Sequence, residues 1–187
     1  MKQKFIAVLA VLMFSGATAG APDAITIEKV TVPGITNFSL LNESTGFAGS
    51  PVGFGGATQP AALSWLRDQG FVAVINLRFA NEEGAELDSS IAASEAAGLE
   101  YMHLPFSPGN PDPDVVDSFL AAVSDAANQP VYIHCGSATR VAALWMIGRV
   151  LKDGWDIDAA AEEAELIALK PDDAIAVATA YVESHGN

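Results

Sequence analysis

The stretch from Val131 to Leu151 constrains this chain more than any other. Val131-Tyr132-Ile133 is an apolar run of strand length, and Val141, Leu144, Trp145, Ile147, Val150 and Leu151 recur a few positions later at helical spacing. Between them lie only His134, Cys135, the small residues Gly136-Ser137-Ala138-Thr139, and Arg140. An apolar strand running almost directly into an apolar helix leaves little polar surface on either. Both must be covered, so the fold has to be layered, with the strand inside a sheet. The joining loop would then fall at the carboxyl end of the strand, where sheets of this kind bind ligands.

The rest of the chain repeats the alternation. Residues 71–77 form a continuous apolar run, a helical pattern covers about 85–97 with Gly98 as its stop, and 99–104 reads as the next strand. A loop rich in proline, glycine and aspartate, 105–113, precedes a helix carrying Val115, Val116, Phe119, Leu120 and Val123, which ends before Pro130. Upstream, 24–45 is strand-prone and is expected to start the sheet or cover its edge. The segment 47–56, rich in glycine and small residues, reads as a lead into a helix opened by Gln59-Pro60 and closed by Gly70. Two alanine-rich helices, about 157–169 and 171–184, read as packing helices. Strands and helices alternating at these lengths predict an α/β fold, a central and mostly parallel sheet flanked by helices through right-handed crossovers.

At the start, Met1-Lys2-Gln3-Lys4 is basic, residues 5–14 are apolar and Ala17-Thr18-Ala19 is a small-residue cleavage pattern, the signature of a secretory signal peptide over 1–19. A single domain over 20–187, periplasmic or secreted, is expected. No stretch reaches the ~18 apolar residues of a membrane span. Losing Lys2 and Lys4 takes the formal charge from −14 to −16. A surface this acidic excludes nucleic acid and anionic lipid as partners. The one cysteine rules out an internal disulfide, and His103, His134 and His185 lack metal-ligand spacing.

An arginine five positions after a cysteine, across a tight loop, can return to the same point in space and meet an oxyanion with two parallel N–H bonds. The helix start beneath adds its own N–H groups and dipole. The same features lower a thiol's pKa and make Cys135 a candidate nucleophile, with Gly136, Ser137, Ala138, Thr139 and Arg140 as the anion cradle. The alternative is a buried structural cysteine. His134 either orients the loop or is a core histidine held by a backbone carbonyl. Arg78, at the end of the strand 71–77, either adds positive charge to the pocket or pairs with Glu82, Glu83 or Glu86.

The segment from His134-Cys135 to Arg140 resembles the phosphate-binding loop of cysteine-dependent tyrosine and dual-specificity phosphatases. With Phe54-Gly55-Gly56-Ala57-Thr58-Gln59-Pro60, Val74-Ile75-Asn76-Leu77-Arg78 and Tyr101-Met102-His103-Leu104-Pro105, it resembles the successive motifs of the bacterial beta-lactamase hydrolase-like branch of that superfamily. The resemblance covers roughly residues 46–149. It implies hydrolysis of phosphate monoesters, phosphotyrosine among them, through a phosphocysteine and without a cofactor, on a phosphate ester or a phosphorylated protein. Four residues separate Cys135 from Arg140, where the phosphatase pattern has five. Rhodanese-type sulfurtransferases also use a six-residue loop, so a Cys135 persulfide stays open, as does a phosphate-binding module without turnover. The resemblance places an aspartate as general acid after the strand 99–104, but Ser107 stands there. Asp112 and Asp114 are the candidates next along the loop, and Asp112 before Pro113 is equally a helix N-cap.

Overall fold

The computed structural model describes residues 26–43 and 46–186. The expected signal peptide lies outside them. Six strands, β1 (Ile27–Lys29), β2 (Ser39–Leu41), β3 (Val52–Gly55), β4 (Ala73–Asn76), β5 (Glu100–His103) and β6 (Val131–His134), form one sheet in the order β1-β2-β3-β6-β4-β5. The pairs β3–β6, β6–β4 and β4–β5 are parallel, while β1 and β2 add antiparallel strands at one edge. The mostly parallel sheet expected from the alternation is present, and the strand-prone start of the chain supplies its edge.

Helices α1 (Leu63–Asp68) and α2 (Leu87–Ala97) cover one face; α3 (Pro113–Ser124), α4 (Thr139–Leu151), α5 (Ile157–Ile167) and α6 (Pro171–His185) build the other. Strand β6 is wholly buried and its side chains alternate between the layers. Val131 and Ile133 join the core with Phe54, Ile75 and α4, while Tyr132 packs with Val74, Phe71 and Leu66 on the α1 side. Helix α4 is buried on nearly its whole circumference, as its all-round apolar sequence requires.

Strand β3 corrects the sequence reading, which took 47–56 as a lead into the first helix. It is a central strand, paired with β2 on one side and β6 on the other. Its glycines conceal it, since glycine is a poor strand former. A Cβ on Gly53 would come within 2.8 Å of the Phe71 ring, and one on Gly55 would collide with the Tyr132 hydroxyl. Both glycines are close approaches of backbone to aromatic side chains, which sequence periodicity cannot express.

Under α4 lies a buried charge cluster. Arg149 donates through Nε (2.8 Å) and Nη2 (2.9 Å) to the two oxygens of Glu163 on α5, and through Nη1 to Asp153 (2.9 Å). The Trp145 indole N–H also reaches Glu163 (2.7 Å), and the Arg149 guanidinium lies 4.3 Å from the Trp155 ring centroid. Arg149 and Glu163 are both almost fully buried, so removing one strands the other in a medium that solvates it poorly. Glu163→Leu should destabilise the protein by about 3–5 kcal/mol, read as a lowered urea midpoint. A loss under about 1 kcal/mol would mean that water replaces the carboxylate there.

Candidate active site

The loop from β6 to α4 is stitched to the residues after β3. Cys135 N–H donates to Gly55 O (3.2 Å) and Ala57 N–H to Gly136 O (3.0 Å). The two segments thus run side by side to the sheet's carboxyl edge. Ser137 O accepts from Leu169 N–H (3.3 Å), and the Ser137 and Thr139 hydroxyls bond each other at 3.0 Å. Ala138 stands at the N-cap of α4 in the left-handed region, φ 61°, with no side chain to cap the helix. A left-handed alanine costs on the order of 1–3 kcal/mol, and the turn it makes aims the uncapped start of α4 at the loop's interior. Uncapped N–H groups at a helix start are an anion site in waiting.

Arg140 is held from behind. Its Nη1 donates to Leu77 O (3.0 Å) and Glu82 Oε1 (2.6 Å), and its Nη2 to Glu82 Oε2 (2.8 Å). A guanidinium has five N–H bonds, and these contacts use three. The Nε–H and one Nη2–H, the pair along its side edge, are left to meet the Cys135 side chain, and they have the geometry of a two-pronged oxyanion contact. Burial opposes the charge on Arg140, but the bonds to Glu82 and the nearby Cys135 side chain outweigh it and keep the pKa above the ordinary arginine value.

Glu82 is itself gripped twice. Besides Arg140, it accepts from Arg78 Nε (3.2 Å) and from Phe79 N–H (2.8 Å). Partial burial would raise its pKa; the Arg140 bond, the Phe79 amide and Arg78 overcome this and hold it at about 2. Arg78 therefore forms the ion pair anticipated from sequence. Its other nitrogens go to Gly84 O (2.7 Å) and Glu83 O (2.6 Å), so it braces the loop that carries Glu82 and does not line the cavity.

Above Arg140 opens a cavity of about 650 Å³. Ser137, Thr139, Arg140 and Glu82 form one side, Pro108 and Gly109 of the loop after β5 another, and Lys170, Asp173, Ala174 and Val177 of the α6 region a third. Cys135 is buried, 1 % exposed, and is not itself among the lining residues, which its loop neighbours Ser137, Thr139 and Arg140 supply. Asp112 and Asp114 are not among those residues. The Asp112 carboxylate accepts from Asp114 N–H (3.0 Å) and caps α3, as its place before Pro113 foretold, and Asp114 is exposed on the first turn. Sequence reasoning missed the pairing of Glu82 with Arg140, which joins residues 58 apart in the chain. It also missed Lys170 and Asp173, because α6 reads as an ordinary alanine-rich packing helix.

Residues 53–152 match the family model for the phosphatase-like domain of beta-lactamase hydrolase-like proteins. The chain belongs to this family. The resemblance read from the motifs is thus one of descent, and the family is phosphatase-like. The beta-lactamase hydrolase-like protein of Agrobacterium fabrum is 29% identical over 116 residues, 59% of this chain and 24% of that protein, so the chain spans about a quarter of this relative. TpbA from P. aeruginosa, solved in complex with pTyr, is 22% identical at a TM-score of 0.55, covering 72% of this chain and 78% of its own. The catalytic core of the PP-IP phosphatase SIW14 from S. cerevisiae, solved with citrate, is 17% identical at a TM-score of 0.56, covering 75% and 90%. Both share the fold of this phosphatase-like domain.

His134, the last residue of β6, sits behind the cradle. Its ring stacks on Tyr132 at 5.6 Å, and its Nδ1 is buried without a partner among the described residues. Backbone groups of Cys135 and Gly56 also hydrogen-bond the ring, in keeping with the core histidine of the sequence reading. Burial first, then the positive charge of Arg78, push its pKa down to about 3. The folded imidazole refuses a proton that the unfolded one accepts near pH 6.5, so the unfolded state gains as pH falls through 6.5 and stability is lost from there downward. Glu82 adds a loss of the same sign only below about pH 4.5. Urea unfolding should show about 2 kcal/mol less stability at pH 5 than at pH 7. His134→Phe, which keeps the stacked ring and cannot titrate, should remove most of that difference. An unchanged difference in the variant would assign it to other groups.

Proposed function

We propose that this protein is a cysteine-dependent phosphomonoesterase. Cys135 is the nucleophile, and Arg140 with the N–H groups of Gly136, Ser137, Ala138 and Thr139 holds the phosphoryl oxygens. The observation that carries this reading is the pairing of Arg140's side edge, which also meets Cys135, with the uncapped start of α4, where one cavity opens. A structural cysteine needs neither. Phosphotyrosine-bearing protein is within the substrate class we propose, as is a small phosphate ester. The charged start of the sequence supports export to a periplasmic or extracellular site of action.

In the proposed reaction the Cys135 thiolate attacks phosphorus, the P–O ester bond breaks and its electron pair leaves with the alcohol oxygen. Water then attacks the phosphocysteine, the P–S bond breaks, and phosphate and thiolate are released. The cradle donates most strongly to the equatorial oxygens as charge gathers on them, which is where positioned donors lower a barrier. Because Glu82 and Leu77 fix the guanidinium beforehand, little reorganisation is needed at that moment. The six-residue loop also fits a sulfurtransferase holding a Cys135 persulfide, and one assay separates the two. Purified protein should hydrolyse aryl phosphates and should not move sulfur from thiosulfate to cyanide; the reverse result would establish the persulfide reading.

Cys135→Ser should abolish hydrolysis while vanadate still binds, since the loop amides and Arg140 persist. Hydrolysis retained by that variant rules out covalent catalysis at the thiol. Arg140→Lys should weaken vanadate binding by about 2 kcal/mol or more, because an ammonium cannot reproduce the planar fork. Equal affinity in a titration would make Arg140 a purely structural residue.

A further inference from the structure

The phosphatase reading leaves the leaving group without a proton donor, and the cavity's own inventory points to one. Two carboxylates line the space above Arg140, Glu82 and Asp173. Both oxygens of Glu82 are taken up by Arg140, Arg78 and the Phe79 N–H, so neither is free to meet a leaving group. The loop after β5 contributes Pro108 and Gly109 to the wall, and from Leu104 to Pro111 it contains no acid. The carboxylate that follows, Asp112, is occupied with the α3 cap.

Asp173 is differently placed. It stands on the first turn of α6, is exposed, and makes no hydrogen bond or ion pair among the described residues. The backbone beneath it is fixed. Leu169 N–H binds Ser137 O of the cradle (3.3 Å), Asn37 Nδ2 binds Ile167 O (2.7 Å), and Ala174 and Ala178 are fully buried in the core that includes α4. The α5–α6 junction is therefore bonded directly to the anion loop, and the first turn of α6 cannot drift from it. Asp173 lies beyond residue 152, where the family match ends.

Resting on the phosphatase reading, we infer that Asp173 is the general acid of the reaction, delivered over the cradle by α6. As the P–O ester bond breaks, the departing oxygen takes the proton of the Asp173 carboxyl group. In the second half, the Asp173 carboxylate takes a proton from the water that attacks phosphorus, and the carboxyl is restored. Atoms and charge balance with no further reactant.

Wild type, Asp173→Asn and Asp173→Glu are compared on an alkyl phosphate and on an aryl phosphate with a strongly acidic leaving group, together with vanadate affinity and the pH profile of kcat/KM. A positioned proton donor is worth about 10²- to 10⁴-fold. The alkyl ester should lose a hundredfold or more in Asp173→Asn, and the activated aryl ester less than about tenfold, because that leaving group departs without a proton. Vanadate affinity should stay within about twofold, the alkaline limb of the pH profile should flatten, and Asp173→Glu should recover part of the alkyl activity. Equal losses on both esters, or no loss, overturn the inference while leaving the phosphatase reading in place. The same selective loss in Asp112→Asn or Asp114→Asn assigns the acid to the loop and also overturns it. A wild type inert on both esters brings down the phosphatase reading itself and the inference with it.

Discussion

Glu82 lies between two arginines, and through it the loops at the ends of two adjacent parallel strands become one unit. Arg78 and Glu82 follow β4, Arg140 follows β6, and the register of those strands brings the two loops to the same sheet edge. Without Glu82, Arg140 would be a long flexible cation above a helix start. With it, the guanidinium plane is fixed by three bonds and one edge is left to meet Cys135 and an oxyanion. The rest of the molecule serves this placement. Strand β6 and helix α4 are buried almost completely, so the loop joining them cannot shift without disturbing both cores.

The far end of α4 is held just as firmly. Arg149 stands nine residues after Arg140 on the same helix, and its cluster with Glu163 and Asp153 fastens α4 to α5 below the sheet. One arginine thus serves the cavity and the other serves the fold, and their partners divide the roles. Arg140 turns its side edge toward Cys135, whereas every guanidinium nitrogen of Arg149 has a carboxylate partner.

Much of this was legible in the sequence, for physical reasons. The elements with strong period or strong punctuation, β4, α2 with its Gly98 stop, α3 with its Asp112-Pro113 cap and the β6–α4 unit, lie close to where the pattern put them. The cysteine, the loop and Arg140 were readable because their chemistry depends on short spacing. Strand β3 was not, since its glycines record the bulk of Phe71 and Tyr132 rather than a preference of their own. Glu82 was seen as a neighbour of Arg78, four residues away, but its bond to Arg140 depends on strand order, which a sequence does not display. Asp173 was hidden for the same reason. A helix that packs by an alanine stripe looks alike whether its first turn meets solvent or a cavity.

The Glu82–Arg140 pair also bears on how an anion would experience the site from a distance. A bare arginine in a cleft is a long-range attractor whose pull fades as salt is added. Here one carboxylate is shared by two guanidinium groups, so the cluster keeps a single net positive charge inside a protein whose formal charge is −14. With Lys170 and Asp173 also lining the cavity, an approaching oxyanion meets a local positive charge set in an acidic surround. The overall charge opposes capture at long range, so binding is decided by that local charge together with direct hydrogen bonds at the Arg140 edge and the helix start.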